Sequence, residues 1–90
     1  MQQFRLVRLD EYDHVIEVEY ESPVFDGNDK FDKEISDAKF EHLLKLHWKY
    51  DLLDYDRVPA MEYQYRVTDY KGKWGKWEHY SDPIEDYYNL

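Results

Sequence analysis

Apolar and polar residues first alternate in Phe4–Leu9, FRLVRL, where Val7 and Leu9 share a face with Arg5 while Phe4, Leu6 and Arg8 share the other. A strand apolar on both faces belongs in the middle of a sheet or beneath two layers. After the turn Asp10–Asp13, DEYD, the stretch His14–Glu21 alternates strictly. His14, Ile16, Val18 and Tyr20 point one way, and Val15, Glu17, Glu19 and Glu21 the other. Pairing Leu9 with His14 and Val7 with Ile16 closes a hairpin with its apolar residues together. Ser22-Pro23 ends the second strand, because proline lacks a donor and restricts its predecessor.

The rhythm then lengthens. From about Lys33 to about Tyr50–Asp54, Phe40, Leu43, Leu44 and His47 recur at helical spacing, and Leu46, Tyr50 and Leu53 extend the stripe. Glu34, Asp37 and Glu41 come early and Lys45 and Lys49 late, which suits the helix dipole. Pro59 stops the helix. Alternation returns at Met61–Thr68, with Met61, Tyr63, Tyr65 and Val67 on one face and Glu62, Gln64, Arg66 and Thr68 on the other. Asp69–Gly72, DYKG, turns the chain into a fourth strand, Lys73–Tyr80. In an unbroken strand Trp74 and Trp77, three apart, face opposite ways unless a bulge realigns them. The tail SDPIEDYYNL offers Ile84, Tyr87, Tyr88 and Leu90 for docking. The pattern predicts an α+β fold in a single domain spanning residues 1–90: two β-hairpins in a small antiparallel sheet, one helix packed on one face, order β-β-α-β-β.

Composition narrows the function. A chain of 90 residues buries about 60–65% of its unfolded surface, so its core is small. Ten Tyr, four Phe and three Trp exceed what that core holds, and half-exposed rings are common at binding surfaces. The absence of cysteine excludes disulfides, thiolate chemistry and cysteine-held metals. No apolar run approaches the roughly 20 residues of a membrane helix, and MQQFRLVRLD lacks a signal peptide's pattern. A cytoplasmic location without a membrane partner is expected.

The net charge is −9, and one segment supplies it: Asp10 to Asp37 holds eleven acids and two lysines, while the remainder balances at ten of each. Such a field repels nucleic acid and attracts basic protein surfaces. Glu17, Glu19 and Glu21 on one strand face stand about 6.6 Å apart, broadly like successive phosphates. They predict a DNA mimic, or an inhibitor, entering the basic groove of a nucleic-acid-binding protein. Asp10, Glu11 and Asp13 extend that field, and Tyr12 and Tyr20 are the nearby anchors. Asp26, Asp29, Asp32, Glu34 and Asp37 add to it if the loop folds back. The plainer alternative is a solvated strand face that guards a sheet edge.

A second candidate surface interleaves Arg66, Lys71, Lys73 and Lys76 with Tyr70, Trp74 and Trp77. Cations between rings suit nucleotides or single-stranded nucleic acid. The same set also fits a lysine-rich hairpin whose tryptophans fill the core, or a homo-oligomer joining this pole to the acidic pole of another copy. The overall acidity weighs against direct nucleic acid binding. His42 and His47, five apart, do not share a helix face, no HExxH exists, and no metal site is expected. Asp26, Asn28 and Asp32 in DGNDKFD alternate, but Lys30 and Phe31 stand where a calcium loop needs an oxygen ligand and a glycine. Ser22, Ser36 and Ser81 lack a nucleophile's turn, and Gly27, Gly72 and Gly75 make no phosphate loop. Neither enzyme activity nor a cofactor is expected.

The stretch Glu62–Trp77, EYQYRVTDYKGKWGKW, resembles the last hairpin of a fibronectin type III domain, with Tyr63, Tyr65 and Val67 as the matching residues. The helix before it departs from that all-β pattern, so the fold is not carried over. In size and charge the chain also resembles small acidic phage proteins that inhibit nucleases or nucleic-acid-binding proteins.

Overall fold

The computed structural model describes residues 1–26 and 31–90, apart from the side chains of Phe31 and Asp32. The turn signals and calcium-loop positions at Asn28, Asp29 and Lys30 lie outside them, as does the carboxylate of Asp32. The elements are β1 (Gln2–Leu9), β2 (Val15–Glu21), α1 (Phe31–Tyr50), a 3-10 turn at Tyr55–Arg57, β3 (Met61–Val67), β4 (Glu78–Ser81) and α2 (Pro83–Tyr88). The strands form one antiparallel sheet in the order β2-β1-β3-β4, so β1 joins the two hairpins by pairing with β3.

One face of the sheet makes the core. Phe4 and Leu6 of β1 and Met61 and Tyr63 of β3 pack against Ile35, Leu43 and Leu46 of α1 and against Leu52. Each such side chain, fully buried, stabilises the fold by about 1.5–3 kcal/mol. Phe4 is the hub, its ring centroid 5.9, 6.3 and 6.0 Å from those of Tyr20, Phe25 and Tyr63.

The expected single helix is corrected to two, in the order β-β-α-β-β-α. Pro83 takes the first helical position of α2, where its missing N–H costs nothing, and Glu85 and Asp86 meet the positive end of the dipole. Ile84 and Tyr87 pack on the core, Tyr87 stacks on His47 at 4.5 Å, and the Tyr88 hydroxyl donates to the Leu53 carbonyl at 3.2 Å. A helix of six residues is too short to display an apolar period.

The register of the first hairpin is also corrected. Leu9 pairs with Val15 and Val7 with Val18, not with His14 and Ile16. The turn takes one residue more than expected, so Leu9 meets Val15; a bulge at Ile16 then moves the partner of Val7 to Val18, and a second, at Glu19, shifts the pairs beyond it. Each extra residue moves the next side chains to the other face. The stripe of α1 differs too: Ile35, Leu43 and Leu46 face the core, whereas Phe40, Leu44 and Leu53 are exposed. β4 begins only at Glu78, because Thr68 bridges Trp74 and the Gly75 N–H donates back to the Val67 carbonyl at 2.9 Å. Gly72 holds the tip at φ 81°, a left-handed conformation. Among the described residues no helix is long and apolar enough to cross a membrane.

Candidate functional site

The antiparallel layout places the two candidate surfaces at opposite ends of the sheet. The β1–β2 turn lies beside the connection into β3, with the Leu9 N–H donating to the Ala60 carbonyl at 2.9 Å. The β3–β4 connection lies at the other end, where Gln2 pairs with Val67. The molecule is 43 Å along its longest axis.

At the first end Asp10 builds the turn. Its Oδ1 accepts from the N–H groups of His14 at 2.8 Å and Tyr12 at 2.9 Å. These bonds, His14 first, hold its carboxyl below the usual carboxylate range. Asp13 takes φ 62°, a left-handed conformation that its short polar side chain tolerates. Tyr12 is 72% exposed and Ile16 60%, with Val15 and Val18 also open to solvent. Among the described residues Glu11 and Asp13 form no ion pair.

The three glutamates of β2 do not form the expected row. Glu17 pairs with Arg8 Nη1 at 3.0 Å. Glu19, the bulge residue, turns toward α1, where its side chain is 9% exposed, meets Lys49 Nζ at 3.1 Å and accepts from the Tyr50 hydroxyl. The Tyr50 bond first, then Lys49, lowers its carboxyl and raises both partners in turn. Glu21 stands opposite Arg5 on the face away from α1. Each of the three therefore has a cation beside it. The wider acidic segment is divided as well: Phe25 lies against Gln2, which puts Asp26 at the far end of the sheet from Asp10–Asp13. Tyr20, expected as an anchor and partly core, packs on the core and stacks on His42 at 4.0 Å.

His42 Nδ1 lies 2.5 Å from the Tyr63 hydroxyl. Burial first, then Lys45, holds the His42 imidazole down to about 4, so it is neutral at pH 7 and Nδ1 accepts the Tyr63 proton. Burial pushes the Tyr63 phenol up. The bond gives the fully buried Tyr63 hydroxyl its acceptor, with His42 itself only partly buried.

At the other end the tryptophans meet one residue. Arg66 lies 4.3 Å from the Trp74 ring centroid and 4.5 Å from that of Trp77, and Arg5 lies 4.3 Å from Trp77. Arg5 and Arg66 alternate with core residues, so this ladder occupies the sheet face away from α1. The expectation of opposite-facing tryptophans gives way because the chain is not a regular strand between Thr68 and Trp77. Tyr70, at the tip, is 92% exposed, and Lys71 lies over its ring at 5.5 Å. Lys73 and Lys76 are exposed.

Sequence reasoning missed two features. Lys39 of α1 pairs with Asp86 of α2 at 2.7 Å and donates to Ser81 Oγ at 2.6 Å, in a groove of about 410 Å³ lined by Phe40, Leu43, Tyr80 and Leu90. Ser81 gives its own proton to Asp86, and the cluster ties α2 to the body. The only advance signal was Pro83 with two acids behind it. The second is Trp48, 88% exposed on the outer side of α1, in line with Phe40 and Leu44 at four-residue steps. Among the described residues no group of three or more His, Asp or Glu is placed to hold a metal ion.

No family model, no curated protein and no solved structure matches this chain.

Proposed function

We propose that this chain is a non-catalytic protein-binding module that docks its acidic hairpin end on a basic protein surface. One observation carries the reading: Tyr12, Val15, Ile16 and Val18 are exposed beside Glu11 and Asp13, which form no ion pair among the described residues. An apolar centre with a charged rim is the usual build of an interface, and exposed tyrosine supplies large contact area at little entropic cost. Unpaired carboxylates add steering toward a basic partner, such as the groove of a nucleic-acid-binding protein. Imitation of a regular phosphate row is not part of this reading, because Glu17 and Glu19 are paired with Arg8 and Lys49 and Glu21 lies on the face away from α1.

The test is affinity capture from native extract at low salt, with elution by salt, for the wild-type chain and for Glu11→Gln/Tyr12→Ala/Asp13→Asn. The wild type is expected to retain basic proteins that elute as salt rises, and the exposed triple variant to lose them while unfolding at the same temperature. Equal retention by the two defeats the reading.

A further inference from the structure

We propose a second binding site, on the sheet face around the Trp74–Arg66–Trp77–Arg5 ladder, for the phosphate groups of a linear polyanion. It goes beyond the docking of the acidic hairpin and does not depend on it. The geometry starts from a bookkeeping of cations. Arg8, Lys39, Lys49 and Arg57 each have a carboxylate partner. Among the described residues Arg66, Lys71, Lys73 and Lys76 form no ion pair, and Arg5 has only Glu21 across from it, beyond ion-pair distance; Lys33 and Lys45 of α1 are unpaired as well, but these five gather around the tryptophans and the β3–β4 connection. In a chain with 21 acids against 12 bases, an unpaired cationic cluster is an arrangement that solubility does not require.

The two guanidiniums are held by neutral groups. Arg5 Nε donates to Gln64 Oε1 at 2.8 Å, and Arg66 donates through Nε and Nη2 to Gln3 Oε1 at 3.2 and 2.7 Å. Gln3 and Gln64 are both buried, and the tryptophan rings lie against the two guanidiniums. The remaining N–H groups are not sealed in: among the described residues the one buried side-chain nitrogen or oxygen without a partner is Arg8 Nε. A guanidinium oriented by stacking, with free N–H edges, matches the tetrahedral oxygens of phosphate in bidentate fashion. Lys71, Lys73 and Lys76 on the flanking connection add mobile point charges along the path of a chain. Because guanidiniums already lie on Trp74 and Trp77, those rings are not an open platform for bases, and the recognised unit is the phosphate.

The net charge of −9 does not abolish such a site. Charges are screened beyond about 8 Å at physiological ionic strength. Asp10, Glu11 and Asp13 lie at the far end of the sheet, and Glu34 and Asp37 belong to α1, on its other face. Of the acids close by, Glu62 is engaged by His79 and Gln64, Asp69 Oδ1 by the N–H groups of Lys71 and Lys73, and Glu78 by the Tyr65 hydroxyl, while Glu21 stands opposite Arg5 and the exposed Asp26, at the same end of the sheet, works against the site.

A nucleic acid strand and inorganic polyphosphate share this chemistry, and the experiment separates them. In a Trp48→Phe background, where Trp74 and Trp77 report, the protein is titrated at low salt with oligothymidylate, with inorganic polyphosphate and with dextran sulfate of matched charge. Saturable fluorescence change is expected with a phosphate polymer, weakening about tenfold or more between 50 and 200 mM salt. Response to both phosphate polymers assigns recognition to the phosphate chain alone, and response to oligothymidylate alone assigns it to nucleic acid. Lys71→Gln/Lys73→Gln/Lys76→Gln is expected to weaken binding about tenfold or more with an unchanged melting temperature. Arg66→Lys, which keeps the charge and loses the fork, is expected to weaken it severalfold. No response to either phosphate polymer, equal affinity of the triple variant, or equal affinity for dextran sulfate overturns the proposal.

Discussion

The two hairpins handle charge in opposite ways. In β1–β2 the glutamates meet cations: Arg8 for Glu17, Lys49 for Glu19 and Arg5 across from Glu21. On β3 Arg66 meets rings and an amide, and among the described residues it forms no ion pair. The difference comes from backbone geometry more than from composition. A bulge in β2 carries Glu19 round to α1, while alternation in β1 and β3 leaves Arg5 and Arg66 on the open face, where Trp74 and Trp77 fold over them. Charge counted along the sequence therefore misjudges which charges remain for a partner. The acidic hairpin keeps only those at its tip, and the lysine hairpin keeps its cations.

The severest way to break this contrast is to remove the ring that both arginines share. Trp77→Ala is expected to cost about 3 kcal/mol, combining a lost large side chain with two lost cation–π contacts. At about 4–8 °C per kcal/mol for a domain of this size, the melting temperature falls by roughly 12 °C or more. Thermal unfolding followed by circular dichroism measures it. A fall of only two or three degrees means that the ladder lies on the sheet without holding it.

Within the first hairpin the contrast sharpens to one residue. Glu19→Gln is expected to cost about 1–2 kcal/mol, since the largely buried carboxylate accepts from a tyrosine and a lysine. Glu21→Gln is expected to stay within about 0.5 kcal/mol, like other exposed substitutions. The sign in pH follows from the direction of the shift. The Glu19 carboxyl is lowered by folding, so its stabilisation is complete above the unfolded value, about 4.3, and is lost as pH falls through the folded value. Equal costs for the two variants, measured by urea unfolding, remove the special place given to the bulge.

How much of this was legible beforehand differs by element. The four strands and α1 follow from alternation and helical spacing, because each buries one face and the period records it. The bulges left no such record: Ile16 and Glu19 fit the alternation of HVIEVEYE, and only pairing with β1 expels them from register. α2 was hidden by its brevity, with Pro83 as its one clear mark. The acidic turn and the Trp/Lys connection were visible as candidate surfaces, since exposure is cheap to guess for turns. What surrounds each charge was not, because Lys49 and Glu19 lie 30 residues apart in sequence and Arg5 and Gln64 lie 59 apart.

A further dependence on pH comes from two histidines, one behind the first hairpin and one in the second, and they act in opposite directions. His42, behind β2, is held down to about 4, by burial first and then by Lys45. Between about 6.5, its unfolded value, and that lower one, the unfolded chain takes up a proton that the folded chain refuses, so stability falls as pH drops. His79 on β4 is raised by its hydrogen bond to Glu62. Its contribution is complete below about 6.5 and is lost as pH rises through the folded value. His42→Gln keeps an oxygen that can accept from Tyr63, and is expected to flatten the slope of melting temperature against pH between about 4 and 6.5. His79→Gln is expected to flatten only the weaker, opposite slope above about 6.5, since an exposed pair contributes little. If His42→Gln leaves the acid-side slope intact, the loss belongs to carboxylates such as Glu19, and the neutral imidazole under β2 is a packing unit alone.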